Sequence, residues 1–173
     1  MSKSALKKYL AEQSKKQLEA QVIDLYERFA EVKTFYDYVF NPKEDKLLEQ
    51  AKIKIGKEYF PETKRRAKKR RSVAQKIIKH FKQLGVDPTL LADVMLYNIE
   101  IAQTYTAHTE IKQAAFYKSM FTSFSEALKH IAYHGLRDAY STRIEDIVSN
   151  AEKQRWENAA RFDEAVDFYL IQE

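Results

Sequence analysis

A chain of 173 residues, 45% of them hydrophobic and including ten Phe and eleven Tyr, suffices for one packed domain, and three Gly with three Pro leave little room for long irregular loops. Gly56, Gly85 and Gly135 lie too far apart for a P-loop or a dinucleotide-binding turn, and the lack of cysteine excludes disulfides, thiolate metal sites and cysteine nucleophiles. Thirty Lys and Arg against 25 Asp and Glu give +5, but seven of those cations stand in the eight residues Lys64-Arg65-Arg66-Ala67-Lys68-Lys69-Arg70-Arg71; without them the balance is 23 against 25, or −2.

In chain order, the pattern predicts helix almost throughout. Met1 to Lys8 lacks the apolar core of a signal peptide, and a short helix is expected around Ala5 to Ala11. Ser14-Lys15-Lys16-Gln17 is a capping box that opens a helix with the stripe Leu18, Val22, Leu25 and Phe29. From Val32 to Phe40 the aromatic group Phe35, Tyr36, Tyr38 and Phe40 is expected where helices turn. Asn41 as N-cap, Pro42 at N1 and Glu44 at N3 predict the start of a helix that stops near Tyr59, before Pro61. The basic run follows as a connector over about 61–71, then a helix from Ser72 to Leu84 closed by Gly85.

Asp87-Pro88 predicts the cap of a helix reaching Thr106, and a long helix should span Glu110 to His134 and end at Gly135. Thr142-Arg143-Ile144-Glu145 reads as a second capping box opening a helix to Trp156, with a last helix from Ala159 to Ile171. The expected fold is all-α, a single domain over 1–173 of seven or eight antiparallel helices. Bundle and short irregular α-hairpin solenoid both fit. No window approaches the ~18 apolar residues of a membrane span, so a cytoplasmic protein is expected.

Four segments resemble an uncharacterised family of small all-helical bacterial proteins, met mainly in Bacteroidetes, a domain of unknown function. They are Lys16-Gln17-Leu18 through Leu25-Tyr26, Tyr38-Val39-Phe40-Asn41-Pro42-Lys43-Glu44-Asp45-Lys46-Leu47, Arg71-Ser72-Val73-Ala74-Gln75-Lys76 and Leu96-Tyr97-Asn98-Ile99-Glu100-Ile101-Ala102. The resemblance implies a helical fold in a bacterial cytoplasm and no activity or catalytic residue.

The basic run is the sharpest functional signal. At 100° per residue Lys43, Lys46, Lys54 and Lys57 share an arc of roughly 80°, beside the apolar arc of Leu47, Leu48, Ala51, Ile55 and Tyr59. On the next helix Val73, Ile77, Phe81 and Leu84 are expected inward, with Lys76, Lys79 and Lys82 outward. Lys64, Arg65, Arg66, Lys68, Lys69, Arg70 and Arg71, extended by Lys54, Lys57, Lys76 and Lys79, would then form a track for a phosphate backbone. The competing reading is an ordinary solvated surface, since 32% of the chain is charged. Seven like charges in so short a span repel one another, which favours an anionic partner.

Other candidates are weaker. Glu126, His130 and His134 recur at i, i+4, i+8, as metal ligands would, with His80 or His108 as a further ligand; histidines near a helix C-terminus also simply meet its last carbonyls. Asn98 falls inside the apolar face of Leu91, Val94, Ile101, Ala102 and Tyr105, which predicts a buried amide with a hydrogen-bond partner; a ligand-orienting role with Glu100 nearby is the alternative. Tyr59 and Phe60 are placed either to stack on bases or to close the core, and Trp156 to pack. No acid, base and nucleophile assemble at readable spacing. The expectation is therefore a non-enzymatic accessory protein without cofactor or metal, binding nucleic acid, RNA before DNA and with ribosomal RNA included. The alternative is a helical adaptor whose basic run meets an acidic protein surface. Oligomeric state is not readable from the pattern.

Overall fold

A computed structural model describes residues 2–171, for Ile171 the backbone alone; Met1, Gln172 and Glu173, which the expected domain includes, lie outside the described residues. Among these residues the regular structure is nine α-helices and a closing π-helical turn, with no strand. They group into two compact units that meet between Lys43 and Glu44 in the sequence.

The first unit holds α1 (Lys3–Ala11), α2 (Lys15–Arg28) and α3 (Ala30–Phe40). The predicted capping box is formed: the Ser14 hydroxyl accepts from the Gln17 amide at 3.3 Å, and the Gln17 side-chain oxygen accepts from the Ser14 amide at 2.8 Å. α2 and α3 pack together, and the Tyr26 hydroxyl donates to Asp37 at 3.3 Å. Tyr36 gathers Tyr26, Phe35 and Phe40 around its ring, so the aromatics expected at a turn cluster along α3 and against α2 instead. Within residues 2–43 no residue is fully buried.

The second unit runs α4 (Glu44–Tyr59), α5 (Arg71–Leu84), α6 (Pro88–Thr106), α7 (Ala114–Tyr133), α8 (Arg137–Lys153), α9 (Ala160–Val166) and the π-helical turn (Asp167–Ile171). Its centre is α6, apolar nearly all round, with α4, α5, α7 and α8 packed on it. Phe162 of α9 is fully buried, its ring stacked on Phe124 at 4.9 Å between centroids. Among the described residues no helix is long and apolar enough to cross a membrane.

Local signals set most boundaries. Gly85 and Gly135 take φ of 67° and 65°, and the amides of Val86 and Leu136 reach back to the carbonyls of Phe81 and Ile131, closing α5 and α7 as Schellman motifs. Asp87 accepts from the Thr89 amide at 2.8 Å and caps α6, with Pro88 in its first turn.

Four expectations require correction. Asn41 is the C-cap of α3, its amide donating to Asp37, and α4 starts at Glu44; Pro42 disfavours helical dihedrals in the residue before it. α7 begins at Ala114 because Ile111 is buried and its carbonyl accepts the Tyr117 hydroxyl at 2.8 Å, holding residues 110–113 as a connector. Thr142 lies inside α8, which starts at Arg137; Tyr140 is buried in the first turn and donates to the Thr89 carbonyl at 2.8 Å, and this burial outweighs a cap. On α5 the buried face is Ala74, Ile78, Phe81 and Leu84, so Val73 and Ile77 are only half-buried at its margin.

Candidate nucleic-acid interface

The connector leaves α4 at Tyr59 and enters α5 at Arg71, and its far end is clasped to α4. The Glu58 carboxylate accepts from the Arg70 guanidinium at 2.9 and 2.7 Å and from the Arg70 amide at 3.2 Å, while the Glu58 carbonyl accepts from the Lys69 amide at 2.9 Å. The Arg70 hydrogen bonds hold the Glu58 carboxyl below its ordinary 4.5, against burial that pushes it up. Lys69 takes φ of 52°, the left-handed region that non-glycine residues avoid, and its ammonium stands 5.4 Å over the Tyr105 ring. Arg71, the first residue of α5, donates to Ser123 at 2.9 Å and pairs with Glu126 at 3.1 Å on α7.

These contacts divide the seven cations. Arg70 and Arg71 are engaged in ion pairs that hold the fold, and Lys69 lies over an aromatic ring. Lys64, Arg65, Arg66 and Lys68 are exposed and form no salt bridge among the described residues. Between the connector and the last turns of α4 lies a cavity of about 230 Å³ whose charged lining is Lys57, Arg65, Arg66, Lys68 and Arg70 against Glu58 and Glu62, five cations to two carboxylates. Such a pocket attracts an oxyanion through Coulomb forces and offers guanidinium geometry for bidentate contacts.

On the flanks, Lys54 and Lys57 of α4 and Lys76 and Lys79 of α5 are exposed, and α4 and α5 pack together. Lys57 pairs with Glu62 at 3.0 Å, both of them well exposed. Tyr59 is buried, its hydroxyl 3.9 Å from the Met120 sulfur, which removes it as a stacking platform. Phe60 is 47% exposed and meets the Tyr105 ring edge-on at 5.8 Å.

The remaining candidates are separated by the fold. Glu126 is held by Arg71 and by Gln75 at 3.2 Å, and the His130 Nε2 lies 2.8 Å from the Pro88 carbonyl, so the two carry different partners. Among the described residues no group of three or more His, Cys, Asp or Glu is placed to hold a metal ion. Asn98 is buried as expected, 1% exposed, but its Nδ2 makes no hydrogen bond among the described residues. Glu100 turns toward α8, where Arg143 donates to it at 2.7 and 3.0 Å and also binds Asp93, leaving no joint site with Asn98. Trp156 is buried and packs edge-on against Phe116, Tyr117 and Phe162.

Glu58 and Tyr105 escape a reading of the sequence. A trace of Glu58 exists there: an acid in the last turn of a helix opposes the helix dipole and calls for a cationic partner. Tyr105 is read there only as part of an apolar face, because its partners Tyr59, Phe60 and Lys69 come from the end of α4 and the connector, far away in sequence.

Fold and site together define an all-helical protein that carries an exposed, clasped basic connector. The chain belongs to the family of unknown function DUF6155, whose model matches residues 1–169. No match occurs among curated proteins or among solved structures.

Proposed function

We propose that the protein is a non-enzymatic accessory protein that binds the phosphate backbone of nucleic acid through Lys64, Arg65, Arg66 and Lys68. The observation that carries this reading is the set of four exposed cations within five residues, without a salt bridge among the described residues, on a segment whose base is tied to α4 through Glu58. Lys54, Lys57, Lys76 and Lys79 extend the positive surface along α4 and α5. Contacts of this kind position a protein on phosphates without reading bases. RNA is favoured over duplex DNA because Phe60, half-exposed beside the connector, offers a face to an unpaired base. A cytoplasmic, ribosome-associated setting belongs to the same proposal.

Purification at low salt without nuclease is expected to leave bound material with a high 260/280 nm absorbance ratio, removed by nuclease or by salt. Crosslinking and sequencing in cells should then recover RNA. A protein that carries no nucleic acid but retains a stoichiometric acidic protein partner after nuclease treatment would overturn this reading in favour of a helical adaptor.

A further inference from the structure

The first unit has three helices and no core of its own. α1, α2 and α3 are 9, 14 and 11 residues long, and isolated helices of that length are marginal in water without an apolar face to bury. Each carries such a face. On α1 it is Leu6, Tyr9 and Leu10; on α2 Val22 and Leu25, followed by Phe29 at the joint with α3; on α3 Phe35, Val39 and Phe40. All nine stand among the exposed large hydrophobics, and Phe40 at 82% is nearly bare. At roughly 200 Å² for a fully exposed side chain of this size, their summed exposure over the three helices is about 850 Å². A stable dimer covers about 800 Å² per partner.

We propose that the faces of α1–α3 form an isologous interface with a second copy of this chain. The area matches what one copy contributes to such a dimer, and two-fold symmetry lets the same patch serve on both sides. A groove of about 460 Å³ lined by Tyr9, Ala20, Gln21, Asp24 and Leu25 gives the partner's side chains a place to enter. The charges around the faces fit a like surface better than a charged one. Residues 1–43 hold eight Lys or Arg and six Asp or Glu, and Lys15–Glu19 and Arg28–Asp24 pair within α2. An anionic bilayer would meet Glu12, Glu19, Glu27 and Glu31 among the lysines, and a strongly acidic protein would meet the same carboxylates. A second copy brings the same mixture of cations and carboxylates rather than a single sign of charge, and its aliphatic and aromatic side chains complement their own kind. This inference does not rest on the nucleic-acid reading.

The test is sedimentation equilibrium of nuclease-treated protein in about 0.5 M salt, where phosphate-mediated bridging is suppressed. Wild type should show twice the 20.4 kDa chain mass at concentrations of about 10–200 μM, with a reversible dilution to monomer. A chain carrying Val22→Glu, Leu25→Glu and Phe40→Asp should dimerise at least about 100-fold more weakly. Trp156 lies buried in the second unit, so an unchanged fluorescence spectrum will show that this unit is intact. Should the variant fail to fold, wild type alone decides: amide exchange over residues 3–40 should quicken on dilution while α6 stays protected. Wild type that remains at 20.4 kDa across the range overturns the proposal, and so does a variant that dimerises as tightly as wild type. Monomeric wild type that sediments with phosphatidylserine vesicles, while the variant does not, overturns it in favour of a membrane surface.

Discussion

Replacing Lys64, Arg65, Arg66 and Lys68 together by Ala should abolish most nucleic-acid binding and leave the fold intact. None of the four forms a salt bridge among the described residues, and all are exposed, so the native state loses little with them. Arg70 and Arg71 stay native, because removing them would strip Glu58 and Glu126 of their partners and confound binding with folding. If each of the four meets one phosphate, the slope of log K against log salt for single-stranded RNA is about −0.7 × 4, close to −2.8. Affinity should then fall about 50-fold between 50 and 200 mM salt. With the four removed, the slope should flatten toward zero and the same change in salt should cost little. Fluorescence anisotropy of a labelled mixed-sequence RNA, read at four or more salt concentrations, measures both slopes. Equal slopes for the two proteins would refute the assignment of these side chains, whatever the absolute affinities.

Three further outcomes follow from single residues. Burial, aided by the neighbouring charges of His134 and Lys82, holds His130 below its ordinary 6.5, outweighing the Pro88 carbonyl that favours its protonation. The unfolded chain therefore binds the extra proton first, and stability should be full above pH 6.5 and decline as pH falls; urea melts followed by Trp156 fluorescence should show a shallower decline for His130→Gln. Glu58→Gln should quicken amide exchange at Lys69 and Arg70, and wild type should show the same loosening only in acid, as pH falls through the lowered Glu58 value; unchanged exchange in the variant would remove the clasp from the account. Phe162→Ala, which deletes a fully buried ring stacked on Phe124, should cost about 3–5 kcal/mol in a denaturant melt.

What could be read from the chain depended on how far apart the deciding groups lie. The Ser14 box, Gly85, Asp87 and Gly135 act within a few residues, and each holds in the structure. Thr142 shows a local signal losing to a distant one: the cap motif is present, but Tyr140 reaches Thr89, 51 residues away, and keeps the preceding turn helical. The exposure of Lys64 to Lys68 was legible because dense like charges resist burial. The division of the run was not. Arg71 finds Glu126 across 55 residues, and nothing near Arg71 distinguishes it from Arg66. The same distance undoes the spacing of Glu126, His130 and His134, whose periodicity is real but whose first two members are held by α5 and by the start of α6. Asn98 was placed correctly in the core by its helical face, whereas its amide partners depend on packing that the face does not encode.

The clasp at Glu58 has a consequence for the entropy of binding. With the Lys69 amide on the Glu58 carbonyl and Arg70 on its carboxylate, residues 59–68 form a loop whose ends are already joined. A basic tail of the same composition would have to surrender backbone freedom, roughly 1–2 kcal/mol per residue fixed, each time it settled on a polyanion. Here the closing of the loop, left-handed Lys69 included, is completed when the second unit folds. A ligand arriving at Lys64, Arg65, Arg66 and Lys68 meets a loop whose closure is already made, so it has less chain freedom left to lose than a disordered run of seven cations.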